Sequence, residues 1–275
     1  MKKTIKLYYA NMENMGDLLN IHICKELFGF DVKRHTVLTA EMSAIGSGLG
    51  NFTWSDRKFL YVLQKLFSFN PQNVAIWGTG FISYEKQDRS FFRKNITFHA
   101  VRGKLSKQRV EKILNKKLDI PTGDAGLLAS YLIKKMPDKK YAVGIVPHFR
   151  EQDAPYFSSL KNQFNHSVII NLREDPLEVI KQIAQCEVII SSSLHGLIVA
   201  DSFGIPNLHV IATDKLRGDG FKFKDYYSSF DLEVTPIDLK NETVPALEDI
   251  ADNYKITKQM VDKKKEELLA CFPFK

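Results

Sequence analysis

Short apolar runs rich in β-forming residues alternate with stretches of helical periodicity along almost the whole chain. The predicted strands cover residues 5–9, 32–38, 73–77, 96–101, 141–146, 168–171, 188–191 and 208–211. The predicted helices cover residues 17–28, 56–67, 104–114, 155–164, 177–185 and 195–203. This alternation is typical of βα units, which build parallel sheets with helices on their faces. The sequence therefore predicts an α/β protein.

A polar, lysine-rich segment interrupts the alternation at residues 134–140, where Pro137 ends any helix that enters it. We expect a linker there, between an N-terminal α/β domain (residues 1–136) and a C-terminal α/β domain (residues 137–275). Two such Rossmann-like domains would face each other across a cleft, where α/β proteins bind ligands at the carboxyl ends of strands. Apolar spacing over residues 245–269 predicts one long terminal helix or a pair of shorter ones, which can pack back on the first domain.

Composition excludes several classes of protein. The 275 residues contain no apolar run near the roughly 18 residues that span a bilayer, and the first residues lack a signal-peptide cleavage site, so we expect a soluble cytoplasmic protein. Three distant cysteines indicate neither a disulfide framework nor a thiolate metal site. A net charge of +7 favours anionic partners, but no nucleic-acid-binding signature is present. We therefore expect no nucleic-acid partner.

The segment Ser-Ser-Ser-Leu-His-Gly at 191–196 follows a predicted buried strand and begins a helix. A helix N-terminus carries unpaired amide N–H groups and about half a positive charge, and the hydroxyls of Ser192 and Ser193 add donors without bulk. His195, next to Gly196 in the first turn, can supply a proton. The Gly-x-Ser-x-Gly elbow of serine hydrolases is missing. The segment predicts an anion site with a proton donor.

Other polar residues follow predicted strands or begin predicted helices. Asp17 either caps the first helix or contacts a sugar hydroxyl. Arg102, directly after a strand, can hold a carboxylate or phosphate through its planar guanidinium, or form a surface salt bridge. His148 lies past the strand at 141–146 and can donate to a phosphate, although a lone histidine is more often structural. The residues alone leave these alternatives open.

Residues 54–69 are aromatic and apolar with basic flanks. This composition fits a helix buried against a sheet, because helices of α/β domains need apolar faces. It also fits a helix that rests on a membrane surface. We favour burial.

Several of these residues together resemble the polysaccharide pyruvyl transferase family. The resemblance rests on Asn-x-Gly-Asp at 14–17, Val-Arg-Gly at 101–103 with Ser106, Gly-Asp at 123–124, Pro-His at 147–148, Ser-Ser-Ser-Leu-His-Gly-Leu-Ile-x-Ala-Asp at 191–201 and Lys-Asp-Tyr-Tyr at 224–227. The last third is the most specific part. Members of the family are similar to two-domain GT-B proteins and form ketal-linked pyruvate on bacterial surface glycans.

The resemblance implies phosphoenolpyruvate as the donor substrate, without a separate cofactor or metal. It assigns His195 as the general acid and Arg102 and Lys215 as donor-binding cations. Lys222 and Lys224 are close enough along the chain to compete with Lys215. Phosphoenolpyruvate would then bind where the two halves converge, with Ser192, Ser193, Gly196 and His148 around it.

The implied acceptor is a sugar diol of a polysaccharide or of a lipid-linked glycan intermediate. Asp17 is the candidate that contacts or deprotonates this diol. A lipid-linked acceptor would bring the enzyme to the cytoplasmic face of the inner membrane through peripheral contact. The alternative is a GT-B glycosyltransferase that uses a nucleotide sugar, because a fold does not fix a function.

Overall fold

The computed structural model describes residues 3–10, 14–84, 88–214, 216 and 219–274. Its strands are β1 (Thr4–Tyr8), β2 (Asp31–Arg34), β3 (Met42–Ser43), β4 (Val74–Trp77), β5 (Ile96–Ala100), β6 (Tyr141–Val146), β7 (Ser167–Ile169), β8 (Cys186–Ser191), β9 (Asn207–Ile211) and β10 (Ile237–Asp238). Its α-helices are α1 (Met15–Phe28), α2 (Lys58–Phe67), α3 (Lys104–Leu114), α4 (Pro155–Gln163), α5 (Pro176–Ala184), α6 (Leu194–Ser202), α7 (Phe221–Ser228), α8 (Leu247–Asp252) and α9 (Lys258–Ala270). The described ranges also contain 3₁₀ helices at Leu49–Phe52 and Ala125–Leu132.

The strands form two five-stranded sheets, in which all neighbouring strands are parallel. The first sheet has the order β2-β1-β3-β4-β5, and the second has the order β10-β9-β8-β6-β7. Counted from the first strand of each half, both orders are 2-1-3-4-5, so the two halves share one doubly wound topology. The predicted α/β class, with two parallel sheets of Rossmann-like alternation, is confirmed.

The observed elements differ from the predicted ones where local contacts override periodicity. The strand predicted at residues 32–38 ends at Arg34, because Thr39 and Ala40 donate their amides to the Thr36 carbonyl in a turn. Strands β3 and β10 have two residues each, too short for any periodic signal. The pattern at 245–269 is a pair of helices, α8 and α9.

The C-terminal helix α9 packs against elements of the first half. The indole of Trp77, in β4, donates to the Leu268 carbonyl at 3.0 Å. The ring of Phe272 stacks on Phe28 with centroids 3.6 Å apart. One contiguous apolar core therefore includes residues of both halves. The segment at residues 134–140 contains no helix or strand, and a domain boundary at 136 stays a prediction.

Helix α2 is the exception to the packing expected of α/β helices. Phe59, Leu66 and Phe69 are 78%, 70% and 72% exposed, whereas the one buried side chain of α2 is the polar Gln64. The expected burial of the aromatic segment 54–69 against a sheet is therefore wrong for this face of the helix. No helix in the described ranges has both the length and the apolar character that crossing a bilayer requires.

Candidate functional site

A cavity of about 540 Å³ lies between the carboxyl ends of the two sheets. Its walls are Tyr8, Tyr9, Ala10, Asn14, Asp17, Ser43, Ile45, Gly46, Ser47, Gly48, Asn51, Ile82 and Ser83 from the first half, and His148, Phe149, Arg150, Leu172, Ser193, Leu194, His195 and Lys222 from the second. The cavity lies at the carboxyl ends of β1 and β3 in the first sheet and of β6 and β8 in the second. Between these two strands of each sheet the strand order reverses. Doubly wound proteins bind their ligands at this switch point.

His195 lies in the first turn of α6, where Ser193 is the N-cap residue and makes no capping hydrogen bond through its side chain. The first-turn amides of a helix have no partner within the helix, so they are available to an anion. The Nε2 atom of His195 is buried and has no hydrogen-bond partner among the described residues. Burial, together with the positive charges of Lys222 and Arg102, lowers the pKa of His195 to about 3. The imidazole of the free protein is therefore neutral at pH 7.

Gly16 explains how the His195 ring fits between the halves. A Cβ atom at residue 16 would lie 2.1 Å from Nδ1 of His195 and 2.6 Å from its Cγ. The backbone of α1 therefore touches the imidazole directly. The Asn-x-Gly-Asp segment and the Leu-His-Gly segment, far apart along the chain, form one contact across the cavity.

Lys222 is a cavity cation whose role the sequence left undecided. It lies in α7 between the buried rings of Phe221 and Phe223, and it lines the cavity with His195. Burial and the charges of Arg102 and Arg150 lower its pKa to about 8, against the opposing effect of Glu151. Lys222 therefore remains largely positive at neutral pH, next to a neutral histidine. Lys215, its competitor, lies outside the described residues.

His148 and two serines complete the wall of the second half. His148 lines the cavity, and its backbone amide donates to Oγ of Ser192 at 2.9 Å. Burial and the nearby Lys222 and Arg150 charges lower the pKa of His148 to about 3. Ser193 lines the cavity, whereas the fully buried Ser192 supports the loop that carries His148.

Asp17 lies on the opposite wall, at the start of α1. Its carboxylate accepts a hydrogen bond from the Asn14 amide at 2.7 Å. Burial raises its pKa to about 6, although the Asn14 hydrogen bond and the Arg34 charge oppose this shift. The Tyr8 hydroxyl next to it accepts from the Asn51 amide at 2.8 Å. Tyrosine rings, amides and a carboxylate of raised pKa form a surface suited to a sugar.

Arg102 lies behind the cavity wall and does not line it. Its side chain is fully buried and pairs with Asp225 of α7, with Nε 2.9 Å from Oδ2. Its Nη1 donates to Ser47 Oγ at 2.8 Å and to the Gly46 carbonyl at 3.4 Å, and its Nη2 donates to the Phe81 carbonyl. The guanidinium therefore has protein partners on all three nitrogens. It connects α7, which carries Lys222, to the loop at Gly46 and Ser47 that does line the cavity.

The structure thus brings together only some of the predicted site residues. Asp17, His148, Ser193 and His195 line one cavity. Arg102, Ser192 and Gly196 lie one layer behind it: a Cβ atom at residue 196 would lie 2.4 Å from Ser191 Oγ, so Gly196 permits α6 to pack on the end of β8. Among the described residues, no group of three histidine, cysteine, aspartate or glutamate side chains could hold a metal ion.

Comparison with known proteins identifies the family of the chain. A sequence model of the polysaccharide pyruvyl transferase family matches residues 14–215, well over half of the chain. The match includes Asp17 and His195 and ends before α7, so Lys222 lies outside it. The uncharacterized protein L143 of Acanthamoeba polyphaga mimivirus is 29% identical over 231 residues, which are 82% of this chain and 74% of that protein.

Proposed function

The chain belongs to the polysaccharide pyruvyl transferase family, and we propose that it converts a sugar diol into a pyruvate ketal with phosphoenolpyruvate as donor. Family membership makes it an enzyme of pyruvyl transfer onto polysaccharide. The observation that carries the finer proposal is His195, which lines the cavity together with Lys222 and whose buried Nε2 atom has no hydrogen-bond partner among the described residues. A proton donor and a cation beside a helix N-terminus match the chemistry of an enol phosphate.

The donor binds against the wall of the second half. Lys222 and the first-turn amides of α6 hold the phosphate and carboxylate, because charge-assisted hydrogen bonds of this kind are about twice as strong as neutral ones. Arg150 lines the same wall and adds positive charge. Arg102 acts indirectly, by fixing α7 and the loop at Gly46. Lys215 keeps the donor-binding role that the resemblance implies.

His195 is the general acid. Its pKa of about 3 leaves it unprotonated near neutral pH, because burial and two cations oppose its charge. A bound phosphate supplies negative charge next to the imidazole and so raises this pKa towards neutrality. The donor therefore creates the acid that acts on it, and protonation at the enol carbon leaves an oxocarbenium-like centre at the carbon that bears the phosphate.

The acceptor binds against the wall of the first half. Asp17, ionised above a pKa of about 6, accepts the proton of the attacking hydroxyl. The hydroxyl oxygen bonds to the oxocarbenium carbon, and the carbon–oxygen bond to phosphate then breaks. The second hydroxyl oxygen bonds to the same carbon and closes the ketal, and its proton leaves with the phosphate as hydrogen phosphate. The proton on Asp17 replaces the one that His195 gave to the enol carbon. Tyr8, Tyr9 and Asn51 offer rings and an amide to the sugar. A lipid-linked glycan is the acceptor that we propose, at the cytoplasmic face of the inner membrane.

The test is incubation with phosphoenolpyruvate and candidate glycans, followed by mass spectrometry and a phosphate assay. The expected product is the glycan plus one pyruvate less one water, with one phosphate released per transfer. His195→Ala should bind phosphoenolpyruvate but lose turnover. Stabilisation by nucleotide sugars and not by phosphoenolpyruvate, measured as a thermal shift, would indicate a glycosyltransferase and overturn the proposal.

A further inference from the structure

Helix α2 presents an apolar ridge to solvent. Phe59, Val62, Leu66 and Phe69 are 78%, 50%, 70% and 72% exposed. Their spacing of three and four residues places them on one face of the helix and its last turn. A helix in a water-soluble domain normally turns such a face inward. We call these four residues the α2 ridge. An exposed apolar surface of this kind is typical of a site that binds a partner.

The outward orientation of the ridge is fixed by a buried polar anchor. Gln64, on the opposite face, is 1% exposed, and its amide nitrogen donates to the Thr53 carbonyl at 3.0 Å. Its amide oxygen accepts from the Ser55 backbone at 2.8 Å. Because rotation of α2 would leave a buried backbone carbonyl and amide unpaired, the ridge cannot turn inward without cost.

Basic side chains surround the ridge. Arg57, Lys58 and Lys65 are exposed on and beside α2, and Lys94 is exposed with its Nζ 4.1 Å from the centroid of the Phe69 ring. The acidic residue of the segment, Asp56, is paired with Arg89. Aromatic and aliphatic side chains with lysines at their edge are the composition that binds anionic lipid headgroups and the acyl boundary below them.

The ridge is connected to the cavity by a short segment. Asn51 lines the cavity and holds the Tyr8 hydroxyl, and the chain passes from Asn51 to Thr53, where Gln64 anchors α2. We propose that the α2 ridge docks on an anionic phospholipid surface and thereby presents the cavity to an acceptor in that surface. That the cavity is presented to an acceptor rests on the proposed function. A symmetric contact with a second copy fits less well, because it would bring Arg57, Lys58 and Lys65 of both copies together.

The test is co-sedimentation with vesicles of phosphatidylglycerol and phosphatidylcholine in equal parts, against vesicles of phosphatidylcholine alone. The wild-type chain should bind the anionic vesicles and lose affinity as salt rises. The variant Phe59→Ser/Leu66→Ser/Phe69→Ser should lose binding by about 100-fold or more, since each removed side chain carries several buried carbons. Lys58→Gln and Lys65→Gln should each cost about fivefold. The matched control Leu114→Ser/Met136→Ser changes exposed apolar residues elsewhere and should bind like the wild type.

Equal binding of the ridge variant and the wild type, or no binding by the wild type, would overturn the proposal. So would a lipid-free dimer of the wild type that becomes a monomer in the ridge variant. In turnover assays, the ridge variant should keep activity on a soluble glycan and lose it on a lipid-linked glycan in vesicles. A wild-type chain that binds vesicles but never uses phosphoenolpyruvate would refute the proposed function and leave the docking surface standing.

Discussion

Replacing Gly16 by alanine tests the contact between the two halves beside the cavity. The new Cβ atom would lie 2.1 Å from Nδ1, 2.6 Å from Cγ and 2.7 Å from Cε1 of His195, whereas ordinary contact begins at 3.4 Å. The imidazole must therefore move by more than 1 Å, or α1 must shift away from α6. Either response displaces the proposed acid from the donor.

The expected effect on activity is large and the effect on stability is moderate. A misplacement of about 1 Å at a reacting group can lower kcat/KM by about 100-fold, equivalent to about 2.7 kcal/mol of transition-state stabilisation. Overpacking costs about 1–3 kcal/mol of unfolding free energy. Alanine in a helix stabilises the fold by about 0.5–1 kcal/mol relative to glycine. The net loss of unfolding free energy should therefore stay below about 2.5 kcal/mol.

The assay is steady-state phosphate release together with urea unfolding of the same variants. Gly144→Ala is the matched control, because its Cβ atom would lie 2.6 Å from Cys186 Sγ and 2.7 Å from Ile189 Cδ1, in the core and away from the cavity. It should lose stability and keep kcat/KM. The double variant Gly16→Ala/His195→Ala should be no slower than His195→Ala, since residues that act through one group are not additive. Wild-type kcat/KM in Gly16→Ala would refute this reasoning.

Two further predictions concern buried titratable side chains near the site. The ring of His209 is buried against Phe223, both of its nitrogens lack partners among the described residues, and burial lowers its pKa to about 3. As pH falls below about 6.5, His209 therefore gains a proton in the unfolded chain but not in the folded one, and the wild type loses stability. Between pH 7 and pH 5, His209→Leu should lose about 2 kcal/mol less unfolding free energy than the wild type. Urea unfolding at the two pH values measures this difference. Arg102→Met leaves the buried Asp225 without its arginine, although Ser106 still donates to it, and should cost about 3–5 kcal/mol of unfolding free energy. Arg102→Met/Asp225→Leu should recover much of this loss. Equal instability of the single and double variants would show that the ion pair is not the cause.

The fold was predictable because βα alternation is a repeated signal. Eight strands and six helices were found from periodicity, whereas β3 and β10, with two residues each, have no period to detect. The shared 2-1-3-4-5 order was not predictable, because strand order depends on long-range pairing and the halves show no sequence repeat. Helix α2 was assigned to the core since its composition is apolar, and the hydrogen bonds of Gln64 to Thr53 and Ser55, which its composition does not reveal, hold its polar face inward.

The site was predictable only where chemistry and local structure coincide. His195 begins a helix after a buried strand, and the serines, the helix N-terminus and the histidine together predict an anion site with a proton donor. Arg102 has the same position after β5, but its partner Asp225 lies 123 residues away, so no local pattern distinguishes a ligand-binding arginine from a buried ion pair. The family motifs therefore combine residues that line the cavity with residues that hold the fold together. Asp201, at the end of the serine–histidine segment, accepts hydrogen bonds from Tyr226 and Tyr254 and belongs to the scaffold.

The most direct test of the central claim is calorimetric titration of phosphoenolpyruvate into Lys222→Met, with Lys224→Met as control. Both lysines lie on α7, but Lys222 lines the cavity and Lys224 is exposed. If the donor binds between Lys222 and His195, Lys222→Met should weaken phosphoenolpyruvate binding by about tenfold or more, which is at least about 1.4 kcal/mol. Lys224→Met should bind like the wild type. Unchanged affinity in Lys222→Met, or equal losses in the two variants, would contradict the assignment of this cavity to the donor.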